Sequence, residues 1–372
     1  MKNIVAVVKL FVISSLFFSL HTAAQNSPKP PADNVDPKGS KGTPVDTSPT
    51  SIPTMSPESG GYLSTTPVYG PEMVSTFISA FIHVTWVSLP NPRDIPGSLS
   101  QSGFIMLGSV MNPSAGGQGY VAYHPQIKRL IVAFRGTKGA APQQTAHNVA
   151  VDGNFRMKNL DWLSPSEPSA QIFRSLRVHS GFNNEYGRFR PDLQAAIKQF
   201  RNTVQNWDEY EFFFVGFSLG SALATHAALD IQLTVLDPLN SSAAGPVFRR
   251  YANVYLGGTP RVGDDTFRQR FGAKINNIVR ANLRQDPVAR IPVEAQGYRH
   301  IGRLLPLEFN GALSTSNQIQ YLAREPIDRS HHDYNVYLRS LYTLLQNGRP
   351  AQAGDSYYPA GLLVKYGDLE RL

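Results

Sequence analysis

The pentapeptide Gly216-Phe217-Ser218-Leu219-Gly220 is the first place in this chain where residue types and spacing could do chemistry. A serine hydroxyl is a weak nucleophile until a base removes its proton, so a fold that uses one must hold it where an imidazole can reach. A tight turn from strand to helix does this. It needs glycine two residues before and two residues after the serine, where a side chain would collide with the strand or helix packed against the turn. The flanks suit such a turn: Glu211-Phe212-Phe213-Phe214-Val215 reads as a buried strand, and the Ala- and Leu-rich residues 219–229 read as a helix. The alternative is a strand-to-helix turn that merely carries a surface serine.

Attack by that serine on a carbonyl would also require donors aimed at the oxyanion. The turn itself offers the backbone N–H of Leu219 at a helix N-terminus. A second donor has to come from a loop after an earlier strand. Thr137 follows the strand that ends Phe134-Arg135-Gly136 and could add its hydroxyl, while the plain alternative is that Gly136-Thr137 only starts a loop.

The elements that must position these groups alternate between strand and helix. After Pro71, residues Val74, Phe77, Ile78, Phe81, Ile82 and Thr85 form one helical stripe. Residues 119–124 and 130–134 read as a strand pair separated by Pro125-Gln126. Pro191 is expected to open a helix carrying Leu193, Ala196, Ile197, Phe200, Val204 and Trp207. Residues 252–256 and 275–281 look like later parallel strands, and residues 298–309 look hairpin-like. The pattern predicts an α/β fold with a mostly parallel central sheet and helices on both faces.

Composition narrows the class further. With 41% hydrophobic and 17% charged residues in 372, the chain can bury a sizeable core. Cysteine is absent, which excludes a disulfide framework and any Cys-based metal or redox site. No histidine or acid cluster has metal-ligand spacing, so no metal is expected. Residues 1–24 read as a signal peptide, with Lys2 in front, an apolar stretch over 10–20 and Thr22-Ala23-Ala24 before the cleavage point; an uncleaved anchor is the alternative. Residues 25–60 hold no aromatic residue and read as a disordered Pro/Ser/Thr-rich linker. The net charge of +8 falls to +6 without Lys2 and Lys9. Residues 249–303 carry eleven Lys or Arg, read here as a solvated surface. An exported chain with no nucleic-acid reader motif points away from nucleic acid as a partner.

Several blocks together resemble the fungal-type class 3 lipase family of α/β-hydrolases. They are Ile131-Val132-Ala133-Phe134-Arg135-Gly136-Thr137, Val178-His179-Ser180-Gly181-Phe182, the segment Val215 to Ala224, and Gly258-Thr259-Pro260-Arg261-Val262-Gly263-Asp264, in the family's order. The likeness covers roughly residues 70–350 and leaves a C-terminal tail, 351–372, outside. It implies a Ser-Asp-His triad with Ser218 as nucleophile, Leu219 and Thr137 as oxyanion donors, and a lid after the Arg-Gly-Thr strand. Asp286, in Asp286-Pro287-Val288, resembles the family's acid, although an aspartate before proline is also a common turn former. His332, with Tyr337-Leu338 starting five residues later, resembles the base of bacterial and plant relatives. His331, with Tyr334 three residues on, resembles the filamentous-fungal form and stays open as the alternative. His179, His226 and His300 read as hydrogen-bonded structural residues. Two departures stand beside the nucleophile: Phe217 where the family usually has histidine, and Ser221 where glycine is frequent.

The resemblance implies a secreted hydrolase of carboxylic esters that needs no cofactor and acts on lipid at an oil–water boundary. Triacylglycerol is the first expectation, ahead of phospholipid (as a phospholipase A1) or feruloyl esters. The expected lid, between Lys138 and Phe155, offers only small apolar groups and should respond weakly to oil. A reading of another class is an inactive secreted relative that only binds.

Overall fold

The run Phe212-Phe213-Phe214-Val215 has no polar face to turn toward water, so it is stable only as a strand covered on both sides. A computed structural model describes residues 71–89, 92–112, 117–137, 155–166, 170–237, 252–275, 277–308 and 329–347, and places that run at the centre of a seven-stranded sheet. The strands are β1 (Ile105–Asn112), β2 (Gly117–His124), β3 (Arg129–Phe134), β6 (Glu211–Phe217), β7 (Asn253–Gly257), β8 (Asn277–Leu283) and β9 (Arg303–Leu307), side by side in the order β1-β2-β3-β6-β7-β8-β9. β1, β2 and β3 pair antiparallel, and β3, β6, β7, β8 and β9 run parallel. Two short strands, β4 (Met157–Asn159) and β5 (Arg177–His179), pair separately.

Alternation along β6 divides the core in two. Phe212 and Phe214 face a layer built from helices α4 (Ser180–Thr203) and α5 (Leu219–Ile231). Phe213, Val215 and Phe217 face the other layer, built from α1 (Pro71–Val87) and α7 (Tyr334–Asn347), where Phe77, Phe81, Tyr337 and Leu341 are buried. Each such side chain contributes about 1.5–3 kcal/mol on leaving water. Among the described residues there are also the smaller α-helices α2 (Ile95–Gln101), α3 (Ala170–Phe173) and α6 (Asp265–Lys274), the last capped by Asp264, whose Oδ1 accepts from the Phe267 N–H at 2.8 Å.

Three expectations change. Pro191 lies inside α4 rather than at its start, because the helix already begins at Ser180, where His179 Nδ1 accepts from the Phe182 N–H at 3.3 Å. An internal proline costs about 3 kcal/mol. Here the buried stripe runs past it on both sides, with Phe182, Tyr186 and Phe189 before and Leu193, Ile197 and Phe200 after. Residues 298–309 do not form a hairpin among the described residues: β9 joins the sheet edge parallel to β8, and Arg299 only bridges to Gly263. Pro306 in β9 suits an edge, where its missing N–H breaks no ladder. The basic run 249–303 is partly interior, because Arg261 and Arg280 are buried. Arg261 donates to the carbonyls of Arg290 (2.7 Å) and Pro292 (3.0 Å) and to Glu294 (2.8 Å). The expected signal peptide, linker and tail, and residues 138–154 of the expected lid, lie outside the described residues.

The three structural histidines are tied as hydrogen-bonding groups. His300 Nε2 lies 2.8 Å from the Ala289 carbonyl, and His226 Nδ1 accepts from Trp162 Nε1–H at 3.2 Å while its ring stacks on Tyr186. Burial holds His226 down to about 3. The imidazole is therefore neutral in the folded chain and takes up a proton near its ordinary 6.5 on unfolding. Its contribution is full above pH 6.5 and is lost as pH falls toward 3, with a slope of about 1 kcal/mol per pH unit. Urea midpoints measured at pH 7 and pH 5 should fall more steeply for the wild type than for His226→Gln; equal slopes would rule out this coupling.

Candidate active site

β6 ends at Phe217 and α5 begins at Leu219, so one residue makes the whole turn. Ser218 makes it with φ 57° and ψ −128°, a conformation that costs a side-chain-bearing residue about 1–3 kcal/mol. The flanking glycines show why no gentler path exists. A Cβ on Gly216 would lie 2.1 Å from the Gly220 carbonyl oxygen, and one on Gly220 would lie 2.4 Å from the Arg135 carbonyl oxygen at the end of β3. Strand, helix and the neighbouring strand thus meet with no space for a methyl group. The turn is then tied down: the Ser218 N–H donates to the Gly257 carbonyl at 3.0 Å, and the Ser221 hydroxyl donates to the Ser218 carbonyl at 2.6 Å. Ser221, the departure from the family's frequent glycine, therefore braces the elbow.

A second loop delivers the carboxylate. β8 stops at Leu283, and the turn after it places Asp286 fully buried below the sheet's carboxyl edge. A third segment, just before α7, brings in His332. Its Nε2 is 2.8 Å from Ser218 Oγ, and its Nδ1 is 2.9 and 3.0 Å from the two Asp286 oxygens. A carboxylate can only accept, so Nδ1 carries the proton and Nε2 presents its lone pair to the serine hydroxyl. His331, the open alternative, ends the short 3₁₀ turn Arg329–His331 one residue earlier.

Three further residues complete the arrangement, and none was assigned a role from sequence. Tyr337 donates its hydroxyl to Asp286 Oδ2 at 2.5 Å and accepts the Leu283 N–H at 3.0 Å. The Val288 N–H donates to Asp286 Oδ1 at 2.7 Å. Gly258, at φ +55°, leaves room where a Cβ would lie 2.9 Å from Phe217 Cε2, 3.0 Å from Asp286 Oδ2 and 3.1 Å from His332 Cε1. Tyr337 did have a signal, its five-residue spacing from His332, but spacing alone does not show that the hydroxyl reaches the acid.

The expected oxyanion donors flank the same serine. Leu219 is the first residue of α5, so its N–H has no acceptor within the helix. On the other side a Cβ on Gly136 would lie 3.0 Å from Ser218 Cβ, so the backbone leading into Thr137 passes close to the serine. Among the described residues no group of three or more His, Cys, Asp or Glu could hold a metal ion.

This order of strand, elbow serine and acid has a counterpart in known proteins, because residues 131–296 match the class 3 lipase family. Across these residues the chain is similar to the class 3 lipase family. The match takes in Thr137, Ser218, Leu219 and Asp286, while His332 lies beyond it. Among curated relatives, the secreted mono- and diacylglycerol lipase MDL4 of Malassezia globosa is 28% identical over 48% of this chain and 51% of its own length. The secreted mono- and diacylglycerol lipase 1 of Fusarium solani is 27% identical over 53% of this chain and 49% of its own. The chain thus spans about half the length of the curated relatives it matches. A solved fungal lipase–inhibitor complex, described as a model for interfacial activation, aligns with a TM-score of 0.54 at 18% identity, covering 73% of this chain and 97% of that one. At that identity the likeness is one of fold: the chain shares a mostly parallel sheet with flanking helices with that structure.

The buried carboxylate makes Tyr337 testable. In Tyr337→Phe, Asp286 loses one donor and the Leu283 N–H loses its acceptor. Urea unfolding should show a loss of about 1–3 kcal/mol. An unchanged midpoint would mean that the hydroxyl holds nothing in place.

Proposed function

We propose that this chain is an exported serine hydrolase that cleaves the ester bonds of acylglycerols through an acyl-enzyme. The observation that carries the proposal is the continuous hydrogen-bonded line from Ser218 Oγ through His332 to the buried Asp286, which also accepts from the Val288 N–H and the Tyr337 hydroxyl.

Ser218 Oγ attacks the ester carbonyl carbon as its proton passes to His332 Nε2, and the carbonyl electron pair moves onto oxygen. The Leu219 N–H and Thr137 receive that oxyanion. Asp286 stabilises the imidazolium while the Nδ1 hydrogen bond fixes its plane. Collapse of the tetrahedral species expels the alcohol, which takes the proton from Nε2. Water then repeats the sequence on the acyl-enzyme, releasing the fatty acid and restoring the serine. No step needs a cofactor.

Export is supported by the leader-like residues 1–24 and by relatives named as secreted lipases. The choice of acylglycerol is supported by those relatives' names, which specify mono- and diacylglycerol, whereas the sequence's first expectation is triacylglycerol. Hydrolysis of matched mono-, di- and tributyrin, with a phospholipid and a feruloyl ester alongside, decides among them. Turnover of an acylglycerol above the other two classes is the expected result, and preference for phospholipid or feruloyl ester would overturn the substrate assignment.

The residue roles have their own test. Ser218→Ala and His332→Ala should each lower kcat on p-nitrophenyl butyrate by about 10⁴-fold or more with little change in Tm. His331→Ala should stay near wild type; the reverse pattern would move the base to His331.

A further inference from the structure

One face of the His332 ring is covered by an aromatic side chain. The Phe217 ring lies 4.7 Å from the imidazole, centroid to centroid, and only 25° from parallel to it. Both imidazole nitrogens are already engaged in the ring plane, by Ser218 and Asp286, so the face is what remains for a neighbour to act on. Phe217 is itself held from behind, edge-on against Phe81 and Tyr337, and is 5% exposed. Gly258 provides the space for the stack, since any Cβ there would press on Phe217, Asp286 and His332 together.

Resting on the reading of Ser218, His332 and Asp286 as the working groups, we propose that Phe217 is a positioning residue that orients the His332 ring and stabilises its imidazolium. The negative face of an aromatic ring attracts a cation held over it, more strongly where water is excluded. Imidazolium is the form His332 takes in the transition state, after it has removed the serine proton. Among the described residues named at the stack, Phe217 and the carboxylate supply this field. Asp286 is the buried charge. Tyr337 and Tyr334, from α7, are phenols, and burial raises Tyr334 above its ordinary range, so it stays neutral near pH 7. Asp333, next in the chain, is exposed and accepts from the Asn335 N–H. A histidine at position 217, usual in the family, would place a second basic ring on this face; phenylalanine places an ionisation-free one.

The signature differs from that of lost packing. Whatever stabilises the imidazolium assists turnover on the alkaline plateau and also favours the protonated, inactive resting enzyme at acid pH. Removing the aromatic face in Phe217→Leu should therefore lower kcat on p-nitrophenyl butyrate by about three- to thirty-fold, with KM little changed. It should also move the acid limb of kcat/KM to lower pH by about half a unit to one unit. Phe217→Met, whose flexible chain fills the same space, should do the same and guards against failure of the first variant to fold. A fall in kcat with the acid limb unmoved would reduce Phe217 to packing, and no change in either would remove it from the mechanism. A folded wild type that does not hydrolyse the ester overturns the hydrolase reading itself, and this proposal with it.

Discussion

Gly216 and Gly220 approach so closely that a methyl on the first would sit 2.1 Å from the carbonyl oxygen of the second. The site depends on that contact. It forces the chain to reverse within one residue, puts Ser218 in the left-handed region and leaves its side chain standing at the carboxyl edge of the parallel strands. The same closeness sets Gly220 against the end of β3, so the segment leading to Thr137 is fixed relative to the serine. A serine carried by a looser turn would have neither this strain nor this fixed position relative to the segment leading to Thr137.

The second constraint is electrostatic. Asp286 is fully buried, and a carboxylate out of water is costly unless its lone pairs are met. Val288, Tyr337 and His332 meet them from two different segments. The groups that satisfy the charge also orient the imidazole, so electrostatic stability of the loop and the geometry of the Ser218–His332–Asp286 hydrogen bonds are one problem with one solution. β8, the turn after it and the first turn of α7 have to assemble together for either to hold.

The elbow was legible in the sequence because it is local: an apolar strand, two glycines and an Ala-rich helix lie within twenty residues. The parallel strands were legible for a similar reason, through their uninterrupted apolar runs. What sequence reasoning missed is set at long range. Pro191 looks like a helix start because the cap at His179 and the core on either side of the proline cannot be seen in its neighbours. Residues 298–309 look like a hairpin because nothing local says that β9 will pair with β8 across the preceding loop. His331 and His332 differ by one position, and which of them faces Ser218 follows from where α7 docks. Tyr337 and the Phe217 stack depend on that same docking. Both side chains were visible in the sequence, but not what they would touch.

The central claim is that Ser218 is a nucleophile activated by this environment and no other serine is. The most direct measurement is the mass of the chain, and of its peptides, after reaction with a fluorophosphonate at neutral pH. One adduct per chain on the peptide bearing Ser218, absent from Ser218→Ala, is the predicted result. An unmodified wild type, or an adduct on a different serine, would contradict it.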